Sequence, residues 1–223
     1  MVDALQSLLA SSRGRSSLFG AIQYASLLSA GLSEALLQGT TTLSRSLRNL
    51  YRALSDCRTL LRFGDSVSLL LKPGAYRNSS PKDLIWIIDT ISDLANRFYY
   101  PFEHIAWAID KRVIPFGESS AKWWNRSSYF SLISSICALA KTVLSWIDII
   151  KRKGELPSSD RRQLRKEEFL VTVDFFTNVA RLIVSVHYLP DGMLWGTKLS
   201  STSLGLLGMI SSLVSLWKMI DEF

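Results

Sequence analysis

Leu199–Trp217, LSSTSLGLLGMISSLVSLW, is a run of nineteen residues without a charge, closed by Lys198 on one side and Lys218 on the other. At 1.5 Å per helical residue it reaches about 28 Å, close to the roughly 30 Å hydrocarbon core of a bilayer. The segment reads as a transmembrane helix and sets the class of the chain: an all-α integral membrane protein. Ser201, Gly205, Gly208, Ser212 and Ser215 recur at spacings of four and three, so they share one helical stripe. In lipid, helices associate where small residues let backbones approach, and this stripe is a candidate helix-pairing seam through which copies of the chain would self-associate. The competing reading is a buried helix in a water-soluble all-α core.

Working back along the chain, Trp123 to Ile150 is a second hydrophobic stretch whose uncharged part, Ser127 to Ala140, is too short alone to span. Lys141 snorkelling to an interface, with Trp123, Trp124 and Trp146 about one membrane thickness apart, brings it to span length. Lys151 to Glu168 reads as a charged linker containing Gly154 and Pro157, and Phe169 to Leu189 as an apolar helix broken by Asp174 and Arg181. The sequence therefore divides into an N-terminal amphipathic helical region (1–122), a first membrane segment (123–150), a linker plus apolar helix (151–198), the C-terminal transmembrane helix (199–217) and a short tail (218–223). Two spans are expected.

The N-terminal region carries three helical patterns: Ser16 to Gln38, Thr42 to Leu71, and Lys82 to Tyr99. In the second, Leu43, Leu47, Leu50, Leu54, Cys57 and Leu61 fall within an arc of roughly 80°. Arg45, Arg48, Arg52, Arg58 and Arg62 lie outside that arc. Such a helix can lie in a membrane interface, its apolar face inserted in the acyl boundary and its arginines binding phospholipid phosphates. A bundle helix with a solvated charged face is the alternative. Asp83, Asp89 and Asp93 in the third pattern read as a polar face rather than a metal or acid-base site.

The 223 residues are 48% hydrophobic and carry a net charge of +7. With so much apolar sequence, that charge points to an anionic phospholipid membrane as the partner and not to nucleic acid, whose readers more often show zinc-ligand spacing or an aromatic RNA-binding signature. Two distant cysteines, Cys57 and Cys137, give no disulfide framework. No Gly-x-Ser-x-Gly elbow, His-Glu-x-x-His pair or phosphate-binding glycine loop is present, so no enzyme, cofactor or metal is expected. For a pore, the ionisable residues in the later apolar helices are Asp148, Asp174 and Arg181.

Several stretches resemble the peroxin-11 family, its gamma type in particular. They are Cys57–Arg62 (CRTLLR), Tyr99–Ala108 (YYPFEHIAWA), Lys122-Trp123-Trp124, His187-Tyr188-Leu189-Pro190 with Leu194-Trp195, and Leu204 to Leu216. The similarity runs from about Arg13 to Trp217. The resemblance implies a multi-pass peroxisomal membrane protein with its N-terminal region in the cytosol, one that elongates the membrane before division and controls peroxisome size and number. It further implies homo- or hetero-oligomers with other family members, contact with the fission machinery, and a membrane-remodelling role for Thr42 to Leu71. It also raises a pore or permeability factor for small metabolites. His104 matches the family motif and reads as a packing residue, with no nucleophile or metal cluster to serve.

Overall fold

In the computed structural model, which describes residues 6, 8–72, 83–115, 117, 119–155 and 161–221, all regular structure is helical. The helices are α1 (Ser12–Leu36), α2 (Thr42–Leu71), α3 (Leu84–Asp110), α4 (Ser120–Glu155), α5 (Arg161–His187) and α6 (Ser201–Asp221). Local chemistry sets their starts. Ser11 caps α1 by accepting from Gly14 N–H at 2.9 Å. Thr41 and Ser44 form a reciprocal capping box at α2, each side chain taking the other's backbone N–H at 3.0 Å. Lys82 of the third helical pattern and Pro157 of the linker lie outside the described residues.

Each helix packs on its neighbours in sequence, and α6 returns to pack on α1. No two non-adjacent helices among those described bring their backbones together, so the six form a closed ring. The closure is antiparallel and tightly registered. Ser17 Oγ lies 3.1 Å from Ser215 Oγ. Glycines on each helix meet larger residues on the other: Gly20 faces Ser212, Gly31 faces Thr202, Gly205 faces the Leu28 backbone and Gly208 faces the Tyr24 ring. The start of α1 and the end of α6 therefore emerge at the same end of the ring. The expected seam is occupied by α1 of the same chain.

Polar pairs accompany most of the other contacts. Arg48 forks onto Glu34 between α2 and α1, Arg62 binds Glu103 between α2 and α3, and Lys141 binds Asp89 between α4 and α3. Lys153 binds Glu168 between α4 and α5, and Lys218 binds Asp174 between α6 and α5. Lys141 thus has a carboxylate partner on α3. Asp89 and Asp93 are paired with Lys141 and Arg97, and no metal-holding cluster occurs among the described residues.

The side-chain distribution is inverted relative to a water-soluble bundle. Buried positions include many small or polar residues, Ala30, Ala95, Ala106, Ala108 and Ala180 with Ser44, Ser66, Ser127 and Thr177, beside a few large ones such as Leu27, Ile149 and Leu189. Large apolar side chains face outward on every helix, among them Ile22 and Leu32 of α1, Leu50 and Phe63 of α2, Ile87 and Leu94 of α3, Ile136 and Ile147 of α4, Phe169 and Phe176 of α5, and Leu206 and Leu213 of α6. Soluble proteins rarely expose such a continuous apolar exterior, whereas a bilayer solvates it.

Three helices, within Ser120–Glu155, Leu164–His187 and Ser201–Ile220, are long and apolar enough to cross a membrane. The middle one adds a third candidate to the two spans expected. Its Asp174 is paired with Lys218 of α6 and its Arg181 lines the cavity between the helices, which lowers the cost of carrying both charges in a span. Helix boundaries also differ, and α5 begins at Arg161, inside the expected linker, and not at Phe169. Helix α4 runs on through Lys151–Glu155, its basic residues holding carboxylates of α5. Helix α3 continues through Pro101 to Asp110. Around that proline, Phe98 and Phe102 stack with Phe130 of α4 at centroid distances of 5.2 and 5.6 Å, and Trp123 closes on Phe102 at 5.5 Å. This aromatic packing holds the turns on both sides of the missing N–H donor.

Candidate functional site

Because the ring is closed and its backbones stay apart, its interior is a chamber of about 400 Å³ to which all six helices contribute. The residues that reach it are polar for a helical reason: on each amphipathic helix they occupy the face opposite the outward apolar stripe. Helix α1 supplies Ser17 and Tyr24, α2 Arg58 and Arg62, and α3 Tyr99 and Tyr100. Helix α4 supplies Ser131 and Ser135, α5 Arg181 and Ser185, and α6 Ser211, Ser212 and Ser215, with Tyr188 just beyond α5. A connected lobe of about 360 Å³ adds Gln23, Tyr51, Ser55, Thr59 and Glu103.

The hydrogen bonds order this lining. Arg62 Nη2 donates to Glu103 Oε1 at 2.6 Å, and Tyr99 O–H donates to the same oxygen at 2.8 Å. Arg58 Nη1 donates to Gln23 Oε1 at 2.7 Å, and its guanidinium lies 5.8 Å from the centre of the Tyr24 ring. The hydroxyls of Tyr51 and Tyr188 meet at 2.9 Å, bridging α2 to the end of α5 across the ring. Burial pushes the Tyr99 and Tyr188 hydroxyls well above the ordinary phenol range, so both stay protonated.

At the opposite end from the termini, Arg48 fastens three helices. Its guanidinium forks onto both Glu34 oxygens and donates through Nη1 to Ser201 Oγ at 3.0 Å. The Arg48 guanidinium holds the Glu34 carboxyl below its usual range.

The stretches that carried the resemblance lie on this framework. From YYPFEHIAWA, Glu103 takes Arg62, His104 fits between the carbonyls of Thr59 and Tyr100, and Trp107 Nε1 donates to Asp56 Oδ1 at 3.1 Å. These residues dock α3 onto the CRTLLR segment of α2. Trp124 Nε1 donates to Asp110 Oδ2 at 2.7 Å, joining α4 to the end of α3. His187 Nδ1 accepts from the Leu199 backbone N–H at 3.2 Å, and Tyr188 completes the chamber.

A sequence model of the family described as Peroxisomal biogenesis factor 11 (PEX11) matches residues 2–220. The chain belongs to the PEX11 family. It is 27% identical to Peroxisomal membrane protein 11C of Homo sapiens over 227 residues, covering 97% of this chain and 93% of that protein. The mouse protein of the same name is 27% identical over 225 residues, with 96% and 92% covered. These relatives agree with the gamma-type resemblance. No solved structure matches the chain. With three helices able to span, this PEX11 protein is a multi-pass protein of the peroxisomal membrane, and its family is one of peroxisome biogenesis.

The residues singled out on α2 are distributed over two faces. Leu43 and Leu50 point outward, 61% and 43% exposed, whereas Leu47, Leu54, Cys57 and Leu61 are half-buried between neighbours. Arg45 and Arg52 are exposed. Arg48, Arg58 and Arg62 are committed to partners inside the ring. Of the seam residues, Ser201 receives Arg48, and Gly205, Gly208, Ser212 and Ser215 face α1. Of the ionisable pore residues, Arg181 lines the chamber, Asp174 is taken by Lys218, and Asp148 pairs with Arg152 beside a separate groove. Sequence reasoning missed the tyrosines and serines of the lining. The signal was there in Ser131, Ser134 and Ser135 recurring within an otherwise apolar span, but serine at helical spacing also fits close helix packing.

Proposed function

We propose that this protein shapes the peroxisomal membrane, promoting its elongation before fission and so controlling peroxisome size and number. The observation that carries the reading is the outward apolar stripe of α2. That helix is too polar to qualify as a span, yet it presents Leu43, Leu50, Leu60, Phe63 and Val67 to the surroundings, with Arg45 and Arg52 exposed beside them. A helix of this kind, held at the rim of a bundle anchored by three spans, inserts its stripe in the acyl boundary and sets its free arginines among phosphates. Area is then added to one leaflet and curvature follows. Association with further copies or family members, and with fission machinery, belongs to the same proposal; because the α6 seam is occupied within the chain, such contacts use another surface. The test is reconstitution of the full chain in vesicles containing anionic lipid. Tubules should form with the wild type and be lost with Leu43→Glu combined with Leu50→Glu, two positions whose side chains are not in the ring interior.

A second reading, a permeability pathway for small metabolites, is favoured by the polar chamber itself. A channel through one ring needs no oligomer. Planar-bilayer recording on purified protein tests it, since shaping alone gives no discrete conductance steps.

A further inference from the structure

We infer that the chamber is an oxyanion-binding site, built to receive a carboxylate or phosphate group among Arg58, Arg62 and Arg181. The inference goes beyond membrane shaping and does not depend on conduction. It starts from charge. Three guanidiniums line the connected cavities against one carboxylate, Glu103, which is 7% exposed and already engaged by Arg62. Among the described residues Arg58 meets the neutral Gln23 amide and the Tyr24 ring face. Arg181 makes no hydrogen bond or ion pair among the described residues; Asp174, two turns away on the same helical face, acts on it only at longer range because its carboxylate is held by Lys218. The Nε–H groups of Arg58 and Arg62 are buried without acceptors. Arg58 and Arg62 are half-buried and Arg181 is open to the cavity, so the site presents an excess of positive charge with unused N–H donors, and guanidinium is the side chain best matched to planar or tetrahedral oxyanions.

The remaining lining supplies donors, not competing acceptors of full charge. The hydroxyls of Tyr99, Tyr188 and Ser212 are held by Glu103, Tyr51 and the Gly208 carbonyl, and a bound oxygen would take their protons only in exchange for those partners. Access is also cationic. At the end of the ring where both termini emerge, a vestibule of about 720 Å³ shares Ser17, Arg62 and Tyr100 with the chamber and adds Arg13 and Lys72. No carboxylate lines that vestibule among the described residues. A cationic mouth leading to a cationic interior concentrates anions along the path.

The experiment uses the full chain in nanodiscs of phosphatidylcholine, titrated with inorganic phosphate or acetate at constant ionic strength and read by calorimetry and thermal unfolding. Saturable binding is expected, weakened by about tenfold or more in Arg181→Gln, as loss of a charge-assisted contact requires. Arg181→Lys should recover part of it. Arg52→Gln, on the outer surface, should bind as the wild type does. Because Arg181 bonds no neighbour, its glutamine variant keeps the fold, and an unchanged unfolding temperature without anion checks this. A second arm adds phosphatidic acid to the discs and follows lipid retention by native mass spectrometry. Lipid retained by the wild type and lost by Arg181→Gln assigns the oxyanion to a headgroup, whereas phosphate or acetate binding in purely zwitterionic discs assigns it to a free ion. Absence of both, or binding undiminished in Arg58→Gln combined with Arg181→Gln, overturns the inference. Binding without bilayer conductance upholds the site and removes the permeability reading; conductance without binding does the reverse.

Discussion

Gly205→Ala isolates the closure of the ring in one methyl group. A Cβ at Gly205 would lie 2.5 Å from the Leu28 amide nitrogen and 2.8 Å from its Cα. Ordinary contact begins at 3.4 Å, so α1 and α6 must part by about 0.9 Å, and backbone atoms have no rotamer by which to yield. Gly64 provides the control, since it is also helical and a Cβ there meets nothing within 4 Å. Both substitutions gain about 1 kcal/mol of intrinsic helix preference. At Gly205 overpacking costs about 2–3 kcal/mol, leaving a net loss of about 1–2 kcal/mol. Gly64→Ala should therefore stabilise and Gly205→Ala destabilise, a difference of about 2–3 kcal/mol. Reversible unfolding of the purified chain in a neutral detergent measures it. Equal stability of the two variants would refute the close approach of α1 and α6.

Glu103→Ala leaves Arg62 facing a polar cavity with its charge uncompensated, and should cost about 2–3 kcal/mol, toward the low end for a buried pair because Arg62 keeps 22% of its side chain accessible; the same unfolding assay reads it, with Glu103→Gln losing less. The Glu34 carboxyl is lowered by Arg48, so its contribution is fully present above the ordinary glutamate range and is lost as pH falls through the lowered value. Acidification below about pH 4 should loosen the end where Arg48 joins α1, α2 and α6, and Glu34→Gln should flatten that pH dependence in thermal unfolding. Alkaline carbonate should leave the protein in the membrane pellet, since its spanning helices are retained by burial in lipid and not by surface charge.

What the sequence disclosed and what it withheld follow from the range of the interactions involved. The charge-free run ending at Trp217 marks α6 as a span by itself, because length and apolarity are local properties. The span within α5 was obscured: Asp174 and Arg181 count against it until Lys218 is known to neutralise one and the chamber to receive the other. Amphipathicity of α2 was equally plain, but two faces do not say which medium each meets. In a closed ring with a polar interior, Arg48, Arg58 and Arg62 turn inward while Arg45 and Arg52 stay outside, a division set by where α1, α3 and α6 lie. The small-residue seam was visible as a seam. Its partner was not, since Gly20 and Gly31 of α1 are too widely spaced to announce the match. Pro101 signalled an end to α3, and only the aromatic cluster with Phe130 and Trp123 carries the helix past it.

The ring closes upon itself within one chain, and the Ser17–Ser215 contact reports that closure directly. The two hydroxyls lie 3.1 Å apart, so Ser17→Cys with Ser215→Cys, introduced where Cys57 and Cys137 have been replaced by serine and alanine, should form a disulfide under mild oxidation in intact membranes. The predicted product is a monomer of increased electrophoretic mobility that reverts on reduction. A covalent dimer, or no cross-link, would contradict a closed ring and the chamber inside it.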